Sequence, residues 1–315
     1  MKPKLKIIRI GSRGSLLALT QAHGVMRALQ QKNPKYCFKL SVIKTTGDVY
    51  QGVELFKKNN IGVFTKEIEK RLLSGDVDIA VHSLKDLPTD VPQGLVLAAF
   101  PARLDTRDVL ISKKKYTLKT LPKNATVATG SPRRKRQLQI LRPDLRVVDL
   151  RGNLDTRVGR VLKNDFHAIV VARAGLLRLK RYLKYATPIP SHQILPAVGQ
   201  AALGLEARID DVTTLKMLTR LDHAPTRARV GCERAFLKTL HGGCRVPVGV
   251  NSKIYRGKIE LQAFVFSTLN NRWISGILSG SVKKYEAVGI ALAKKLLSRG
   301  AGKLMQEARD DGAVS

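Results

Sequence analysis

The chain has 315 residues, enough for about two or three domains and for a buried core that needs no disulfide support. Its three cysteines fit neither a disulfide framework nor a zinc cluster, and no apolar run reaches the roughly 18 residues of a membrane span, so a reducing, cytoplasmic location is expected. The 57 lysines and arginines against 24 acidic residues give a net charge of +33, but with 5% aromatic residues and no zinc-finger or RNA-binding motif we do not expect nucleic acid as a partner.

Strand-like and helix-like segments alternate through the first hundred residues, which predicts an α/β lobe with largely parallel strands. Residues 47–62 have glycines at both ends and no periodicity, a pattern typical of a mobile lid, with an ordinary surface loop as the alternative. The predicted elements are a strand at Leu5–Ile10, a helix at Ser15–Lys32, a strand at Phe38–Lys44, a helix at Phe64–Leu73, and strands at Val77–Val81 and Val96–Ala99.

The same alternation restarts after a polar segment at 101–107 and predicts a second α/β lobe. Its strands are expected at Ala125–Thr129, Arg146–Leu150 and Ala168–Ala172, with helices that start near Ser131, Asn153 and Gly175. A further strand at Ala202–Ala207 and a helix through Leu215 lead to Asp222.

The last part of the chain groups its strands together, which predicts a small α+β domain. A helix at Thr226–Leu240 and a Gly-Gly-Cys loop come first. Strands at Val246–Lys253, Lys258–Phe266 and Trp273–Ser279 and a helix at Lys283–Ser298 follow.

One carboxylate, Asp86, lies just past the carboxyl end of the strand Val77–Val81, where open α/β sheets bind their ligands. The run His82–Pro88 breaks the strand and presents this side chain. Asp86 is therefore a candidate functional residue, and the alternative is that it only tightens an ordinary loop.

Arginines occur in or just after four of the turns that follow strands. They are Arg13, the pair Arg133 and Arg134, Arg151 with Arg157, and Arg173 with Arg178. In the second turn Ser131 is a good N-cap and Pro132 a good first helical residue, so the arginine pair falls in the first turn, where the helix dipole disfavours each cation by about 0.3–1 kcal/mol. We expect an anionic group to offset this cost. The four turns together predict a cleft for a ligand with several carboxylates or phosphates.

Other kinds of site are not indicated. The sequence has no Walker motif and no dinucleotide fingerprint, and its six histidines form no ligand-spaced pair, so no metal is expected. Cys244 lies in a glycine-rich loop beside Arg245, a setting that favours the thiolate, whereas Cys37 and Cys232 are expected to be small buried hydrophobic residues.

Further runs of the sequence form a recognisable set. They are Ile10–Gln21, His82–Pro88, Leu150–Asn153, Ala197–Gln200, and Glu233–Leu237 with Gly242–Cys244. In their residues and their order these runs resemble the porphobilinogen deaminase (hydroxymethylbilane synthase) family. The resemblance implies two lobes like those of type II periplasmic binding proteins and a third, cofactor-carrying domain, with boundaries at 1–101 plus 202–219, 107–195 and 224–315.

The resemblance also implies a chemistry, in haem biosynthesis, for a monomeric transferase. A dipyrromethane cofactor is attached by a thioether to Cys244, four porphobilinogen units are added with loss of ammonia, and hydrolysis releases the linear tetrapyrrole. Asp86 holds the pyrrole N–H groups and stabilises the cationic azafulvene-like intermediates. Cofactor or chain carboxylates are held by Ser83, Lys85, Thr129, Ser131, Arg133, Arg134, Arg151 and Arg157. Candidates for the substrate side are Arg13, Ser15, Gln21, Phe64, Arg178 and Gln200.

The sequence departs from the family at four positions. Gly130 and Pro132 stand where Ser and Leu are frequent, Ala201 where Gly is common, and Arg173 at a usually apolar position. The charge of +33 also differs from the near-neutral or acidic balance of the family.

Two other interpretations remain. A non-catalytic anion-binding protein of the same lobed architecture would need neither Asp86 nor Cys244, and a solute-binding protein would need an export signal, which the N-terminal sequence does not indicate. A nucleic-acid-binding protein is suggested by the charge alone. The enzyme interpretation is favoured because it accounts for the aspartate, the arginines and the cysteine together.

Overall fold

The computed structural model describes residues 6–45, 65–241 and 247–314, with side chains as far as residue 308. The chain divides into two compact units. The first joins Met1–Arg103 with Ala202–Arg227, and the second joins Leu104–Ala201 with Ala228–Ser315. The second unit contains two separate sheets. The chain has two compact units where three domains are predicted, so the division into three domains stays a prediction.

The secondary structure follows the predicted alternation closely. In chain order the described elements are β1 (Lys6–Arg13), α1 (Leu16–Lys32), β2 (Tyr36–Ile43), α2 (Lys66–Leu73), β3 (Ile79–Ser83), β4 (Leu95–Ala99), β5 (Asp108–Ile111), β6 (Thr126–Ala128), α3 (Pro132–Leu141), β7 (Arg146–Val148), α4 (Leu154–Leu162), β8 (Ala168–Ala172), α5 (Arg173–Leu179), β9 (Ala186–Pro188), β10 (Leu203–Arg208), α6 (Val212–Thr219), α7 (Ala224–Thr239), β11 (Val248–Tyr255), β12 (Lys258–Phe266), β13 (Trp273–Ser281), α8 (Tyr285–Leu297) and α9 (Ala301–Val314).

The two α/β sheets have the same topology. The first has the strand order β2-β1-β3-β10-β4 and the second has the order β7-β6-β8-β5-β9. In each sheet one strand, β10 or β5, runs antiparallel to its two neighbours. The predicted α/β lobes are confirmed, whereas the reversed strands, the short β5 and β9, and the final helix α9 were not predicted.

Successive side chains of β3 point alternately to the face of the sheet that α1 covers and to the face that α2 covers. Ile79 and Val81 pack in the core beneath α1, whereas Ala80 packs with Ile68 and Leu72 of α2. Successive residues of a strand point to opposite faces. Ser83 therefore lies on the α1 side of the sheet.

The C-terminal part, residues 228–315, has a three-stranded antiparallel sheet, which confirms the α+β prediction. Its core contains Phe236 of α7, Leu261 of β12 and Leu292 of α8, all fully buried. Across the residues that the structure describes, no helix is long and apolar enough to cross a membrane.

Candidate active site

Asp86 lies in a single 3₁₀ turn, Leu84–Asp86, directly after β3. Leu84 and Leu87 on either side are buried, and the Leu84 N–H donates to the carbonyl oxygen of Ala202 at 3.1 Å. The Asp86 side chain is exposed and makes no hydrogen bond or ion pair within the described parts of the chain. The fold therefore presents a carboxylate that no other described residue pairs with, on an anchored turn.

The predicted residues of the first unit surround the carboxyl ends of β1 and β3. Ser83 and the buried Gln21 of α1 are joined by hydrogen bonds, 3.0 Å from Gln21 Nε2 to Ser83 Oγ and 3.1 Å from Ser83 Oγ to Gln21 Oε1. Ser15 caps α1, since its Oγ accepts from the Ala18 N–H at 3.3 Å. Arg13 ends β1, and Lys85 precedes Asp86 in its turn.

A buried polar cluster lies on the opposite face of β3, the face covered by α2. The ring nitrogen Nε2 of His82 is 3.0 Å from Oε2 of Glu206 on β10, and both side chains are buried. Burial, and next the charge of Glu206, raise the pKa of Glu69 on α2, although a hydrogen bond from Thr65 and the charges of His82 and Lys66 act in the other direction. None of these three residues was predicted to matter.

In the second unit, the predicted residues follow β6 and β7, which are parallel neighbours. Thr129 is buried and its N–H donates to the carbonyl oxygen of Val148 at 2.9 Å. Ser131 is the N-cap of α3 as predicted, but its side chain makes no capping hydrogen bond. Gly130 is needed here, because a Cβ would come within 2.5 Å of the Leu150 carbonyl oxygen.

Arg133 and Arg134 are buried in the first turn of α3, and both bind one internal carboxylate. Asp108, the first residue of β5, accepts from Arg133 Nη2 and from Arg134 Nη2 at 2.8 Å each. Arg133 also donates to the carbonyl oxygen of Leu195. The anionic group expected near this helix start is therefore supplied by the protein itself.

Asp108 is fully buried and is ionised with its two partners. Burial alone would raise the pKa of Asp108, but the charges of Arg133 and Arg134 and their hydrogen bonds outweigh it and lower the pKa to about 2. Asp108 was not predicted from the sequence. The available signal was an acidic residue at the head of the apolar run Val109–Ile111.

Gln200 and Arg178 adjoin this cluster. Gln200 is buried and its Nε2 donates to Asp108 at 2.8 Å and to the Thr106 carbonyl oxygen at 2.7 Å. Arg178 donates to the carbonyl oxygen of Ala201 at 2.8 Å, and burial lowers its pKa to about 10. Within the described residues Arg178 has no carboxylate partner.

The remaining arginines lie on two other turns. Arg157 of α4 is half-buried and donates through Nε to the carbonyl oxygen of Gly152 at 2.7 Å, and Arg151 is exposed just before that glycine. Arg173 is paired within the protein, because its Nη1 donates to Asp105 at 2.8 Å. The helix predicted near Gly175 begins at Arg173.

Three of the predicted features lie outside the described residues: Cys244, Phe64 and the segment 47–62. Of the other two cysteines, Cys232 is buried as expected, whereas Cys37 is only half-buried. Cys232 is buried in α7, where burial, and next the charge of Glu233, raise the pKa of its thiol to about 12. Cys37 is half-buried on β2. No group of three or more His, Cys, Asp or Glu side chains that could hold a metal ion occurs in the part of the chain that the structure describes.

Comparison with known proteins identifies the family. Residues 8–216 match the family model for the porphobilinogen deaminase dipyromethane cofactor binding domain, and residues 227–298 match the model for the porphobilinogen deaminase C-terminal domain. This chain belongs to the porphobilinogen deaminase family. The porphobilinogen deaminase of Chloroherpeton thalassium is 46% identical over 312 residues, which are 98% of this chain and 99% of the relative. That of Moorella thermoacetica is 45% identical over 302 residues, 96% of each chain.

Among solved structures, the chain is similar to the VFT2 domain of BvgS from Bordetella pertussis, with 15% identity and a TM-score of 0.41 over 68% of this chain and 86% of that domain. The family matches confirm the predicted family, its transferase chemistry and its dipyrromethane cofactor. They favour the enzyme over the non-catalytic anion-binding alternative.

Proposed function

We propose that Asp86 is the catalytic carboxylate of this porphobilinogen deaminase and that the arginines of the second unit hold the carboxylates of the cofactor and the growing chain. The observation that carries the proposal is the exposed Asp86 side chain, which has no partner in the described ranges of the chain and stands on a turn anchored by two buried leucines. Each porphobilinogen adds an acetate and a propionate, so one carboxylate among many cations suits a substrate that is anionic at its rim.

Asp86 acts by electrostatics. Loss of ammonia from porphobilinogen leaves positive charge on the pyrrole, and a carboxylate that is already in place stabilises this charge without the reorganisation that water would need. The anchoring of Leu84 to Ala202 and of Ser83 to Gln21 limits movement of the turn that carries Asp86. Ser83 and Lys85 are the neighbours that we assign to the cofactor side.

The arginine cluster fits the dipyrromethane group that the family carries. When bound, this group supplies the terminal pyrrole carbon to which substrate units are joined. The Nε donors of Arg133 and Arg134 are buried and have no acceptor among the described residues, which supports binding of a cofactor carboxylate. Asp108 holds the two guanidiniums in place, so they are ordered before the ligand binds. The other residues proposed for this role are Thr129, Ser131, Arg151 and Arg157.

Arg178 is the strongest candidate on the substrate side. A guanidinium has five N–H donors, and the half-buried Arg178 uses a backbone carbonyl as its acceptor, so donors remain for a bidentate contact with a carboxylate. We assign Arg13, Ser15, Gln21, Phe64 and Gln200 to the same side. The engagement of Gln200 with Asp108 indicates that Gln200 acts partly through the arginine pair.

Cys244 is proposed to carry the cofactor. The high pKa of the Cys232 thiol leaves little thiolate there at neutral pH, which supports this assignment. Cys244→Ser should abolish the covalent mass excess of the purified protein, and Cys232→Ser should retain it. Peptide mass spectrometry that maps the adduct to Cys37 or Cys232 would contradict the assignment.

The test of Asp86 is single-turnover ammonia release in holoenzyme preparations matched for cofactor content. Asp86→Asn keeps the shape of the side chain but removes its charge, and the rate should fall by at least roughly 10²–10³-fold, the scale for losing one preorganised electrostatic contact. Asp90→Asn, an exposed carboxylate four residues later, is the matched control and should release ammonia at the parent rate. Equal rates for the Asp86→Asn variant and the parent would refute the catalytic role.

We also propose that the enzyme is a cytoplasmic monomer whose partner is porphobilinogen and that its basic surface does not serve nucleic acid. This proposal is supported because carboxylate binding accounts for the arginines of the site without a nucleic-acid partner. A single peak at about 35 kDa in sizing experiments is expected, and steeply salt-dependent binding to duplex DNA would contradict the last point.

A further inference from the structure

Leu195 lies at the meeting point of two parts of the second unit: the arginine lobe, residues 104–201, and the C-terminal part, residues 228–315. On the lobe side, the Leu195 N–H donates to Gln137 Oε1 at 2.7 Å, and the Leu195 carbonyl oxygen accepts from Gln137 Nε2 at 3.1 Å. The same carbonyl oxygen accepts from Arg133. Leu195 and Gln137 are each 3% exposed. The backbone position of Leu195 and the position of a site guanidinium are thus set together.

The C-terminal part approaches Leu195 through β11. A Cβ built on Gly249 would lie 2.8 Å from Leu195 Cβ, 3.3 Å from the Leu195 carbonyl oxygen and 3.4 Å from Gln137 Nε2. The next residue, Val250, donates its N–H to the carbonyl oxygen of Pro196 at 2.8 Å. This strand therefore packs directly on the segment that Gln137 holds, and the closeness of the contact depends on glycine.

We propose that Gln137 is a positioning residue that fixes β11 and the arginine pair in one arrangement, so that the C-terminal part and the arginine lobe move as one body while the chain grows. Residues 104–201 and 228–315 belong to one compact unit, in agreement with this. The functional consequence rests on the proposed function, because it needs the cofactor to be attached in the C-terminal part and its carboxylates to be bound by Arg133 and Arg134.

The physical reason is the double role of one amide. Gln137 satisfies both the N–H and the carbonyl of Leu195, so its removal leaves a buried donor without a partner and frees the segment that supports Arg133 and Val250. Losing one buried hydrogen bond corresponds to about a tenfold change in a local opening equilibrium. A shift of about 1 Å in a carboxylate-binding group is enough to slow a positioned reaction substantially.

The experiment compares hydrogen exchange and cofactor loading in the full-length chain. The variants are Gln137→Met, which keeps the length of the side chain but removes both hydrogen bonds to Leu195 and a third to the Arg133 carbonyl oxygen, and Gly249→Ala, which inserts the clashing Cβ. Gly302→Ala is the matched control, because its Cβ would meet only Leu297 Cδ2 at an ordinary 3.7 Å. Exchange is followed in peptides containing Leu195, Val250 and, as an internal reference, β12. Loading is followed by the covalent mass excess that develops when apoprotein is mixed with porphobilinogen.

Both Gln137→Met and Gly249→Ala should speed exchange at Leu195 and Val250 together by about tenfold and slow cofactor loading by a similar factor, with β12 unchanged. Faster exchange at Leu195 in Gln137→Met with parent-like exchange at Val250 would overturn the proposal, as would loading at the parent rate. Should Gly249→Ala fail to fold, Gln137→Met still decides the matter. A parent chain that never acquires covalent mass would refute the proposed function, whereas the exchange data would still decide whether the two parts are coupled.

Discussion

Replacing Asp108 with asparagine tests the central electrostatic feature of the second unit. The fully buried carboxylate of Asp108 accepts from Arg133, Arg134 and Gln200, at 2.8 Å in each case. Asp108→Asn has nearly the same shape, but it leaves two buried guanidiniums without a counter-charge. Its amide nitrogen would also face N–H donors, whichever way the amide is turned.

Breaking a buried ion pair by removing one partner costs about 3–5 kcal/mol, because the remaining charge is left uncompensated. For a unit of this size, about 2–4 °C of melting temperature corresponds to each kcal/mol, so the second unit should melt roughly 6–20 °C lower. Part of this loss of stability depends on pH. The pKa of Asp108 is lowered from 3.8 to about 2, which corresponds to about 2 kcal/mol of stability.

The lowered pKa of Asp108 sets the direction in which its stabilising effect changes with pH. The stabilisation by ionised Asp108 is complete above about pH 4 and is lost as the pH falls toward 2. Thermal unfolding of parent and Asp108→Asn at pH 7 and at pH 2–3 should therefore show the largest difference at pH 7. Asp165→Asn, whose partner is the exposed Arg160 in the same lobe, is the control and should change the melting temperature little. A drop below about 3 °C for Asp108→Asn at pH 7, or one that does not shrink in acid, would refute the reasoning.

Three further predictions concern stability. Ala201 has φ +70, a left-handed conformation that glycine adopts without strain, so Ala201→Gly should stabilise the chain by about 0.5–1 kcal/mol in urea unfolding, and a loss of stability would contradict this. Gly130→Ala should lower the melting temperature because its Cβ would lie 2.5 Å from the Leu150 carbonyl oxygen, whereas Gly159→Ala, with no atom within 4 Å, should not. The raised pKa of Glu69 means that the stability provided by its neutral form is complete below about pH 4.5 and is lost as the pH rises through the folded-state value. Glu69→Gln should therefore gain in melting temperature relative to the parent between pH 4.5 and 7, and a difference that is constant with pH would contradict the assignment.

The positions of the site residues along the chain could be predicted because they follow local rules. Periodicity placed Asp86 just after a strand and Arg133 and Arg134 at a helix start, and the structure has both features. The capping position of Ser15 was also predictable from neighbouring residues alone. These inferences need only the chain within a few residues of the site.

The partners of these residues could not be predicted in the same way. Asp108 lies 25 residues before Arg133, and the reversed strand β5 brings it to the start of α3. His82 meets Glu206 across 124 residues because β10 is antiparallel to β3. Whether such a strand is parallel or antiparallel to its neighbours depends on the path of the chain before and after it. The four residues of β5 and the six of β10 do not encode that path.

The sequence by itself determined most of the elements, the edge of each sheet that carries the polar residues, and the family, because periodicity, capping and motif order are local properties of the chain. Only the tertiary structure decided that Arg133 and Arg134 are held by an internal carboxylate, that Arg173 binds Asp105, and that Asp86 is left unpaired among the described residues. The physical reason is that a charge finds its partner through burial and strand order, and these are set by contacts between residues distant in the sequence.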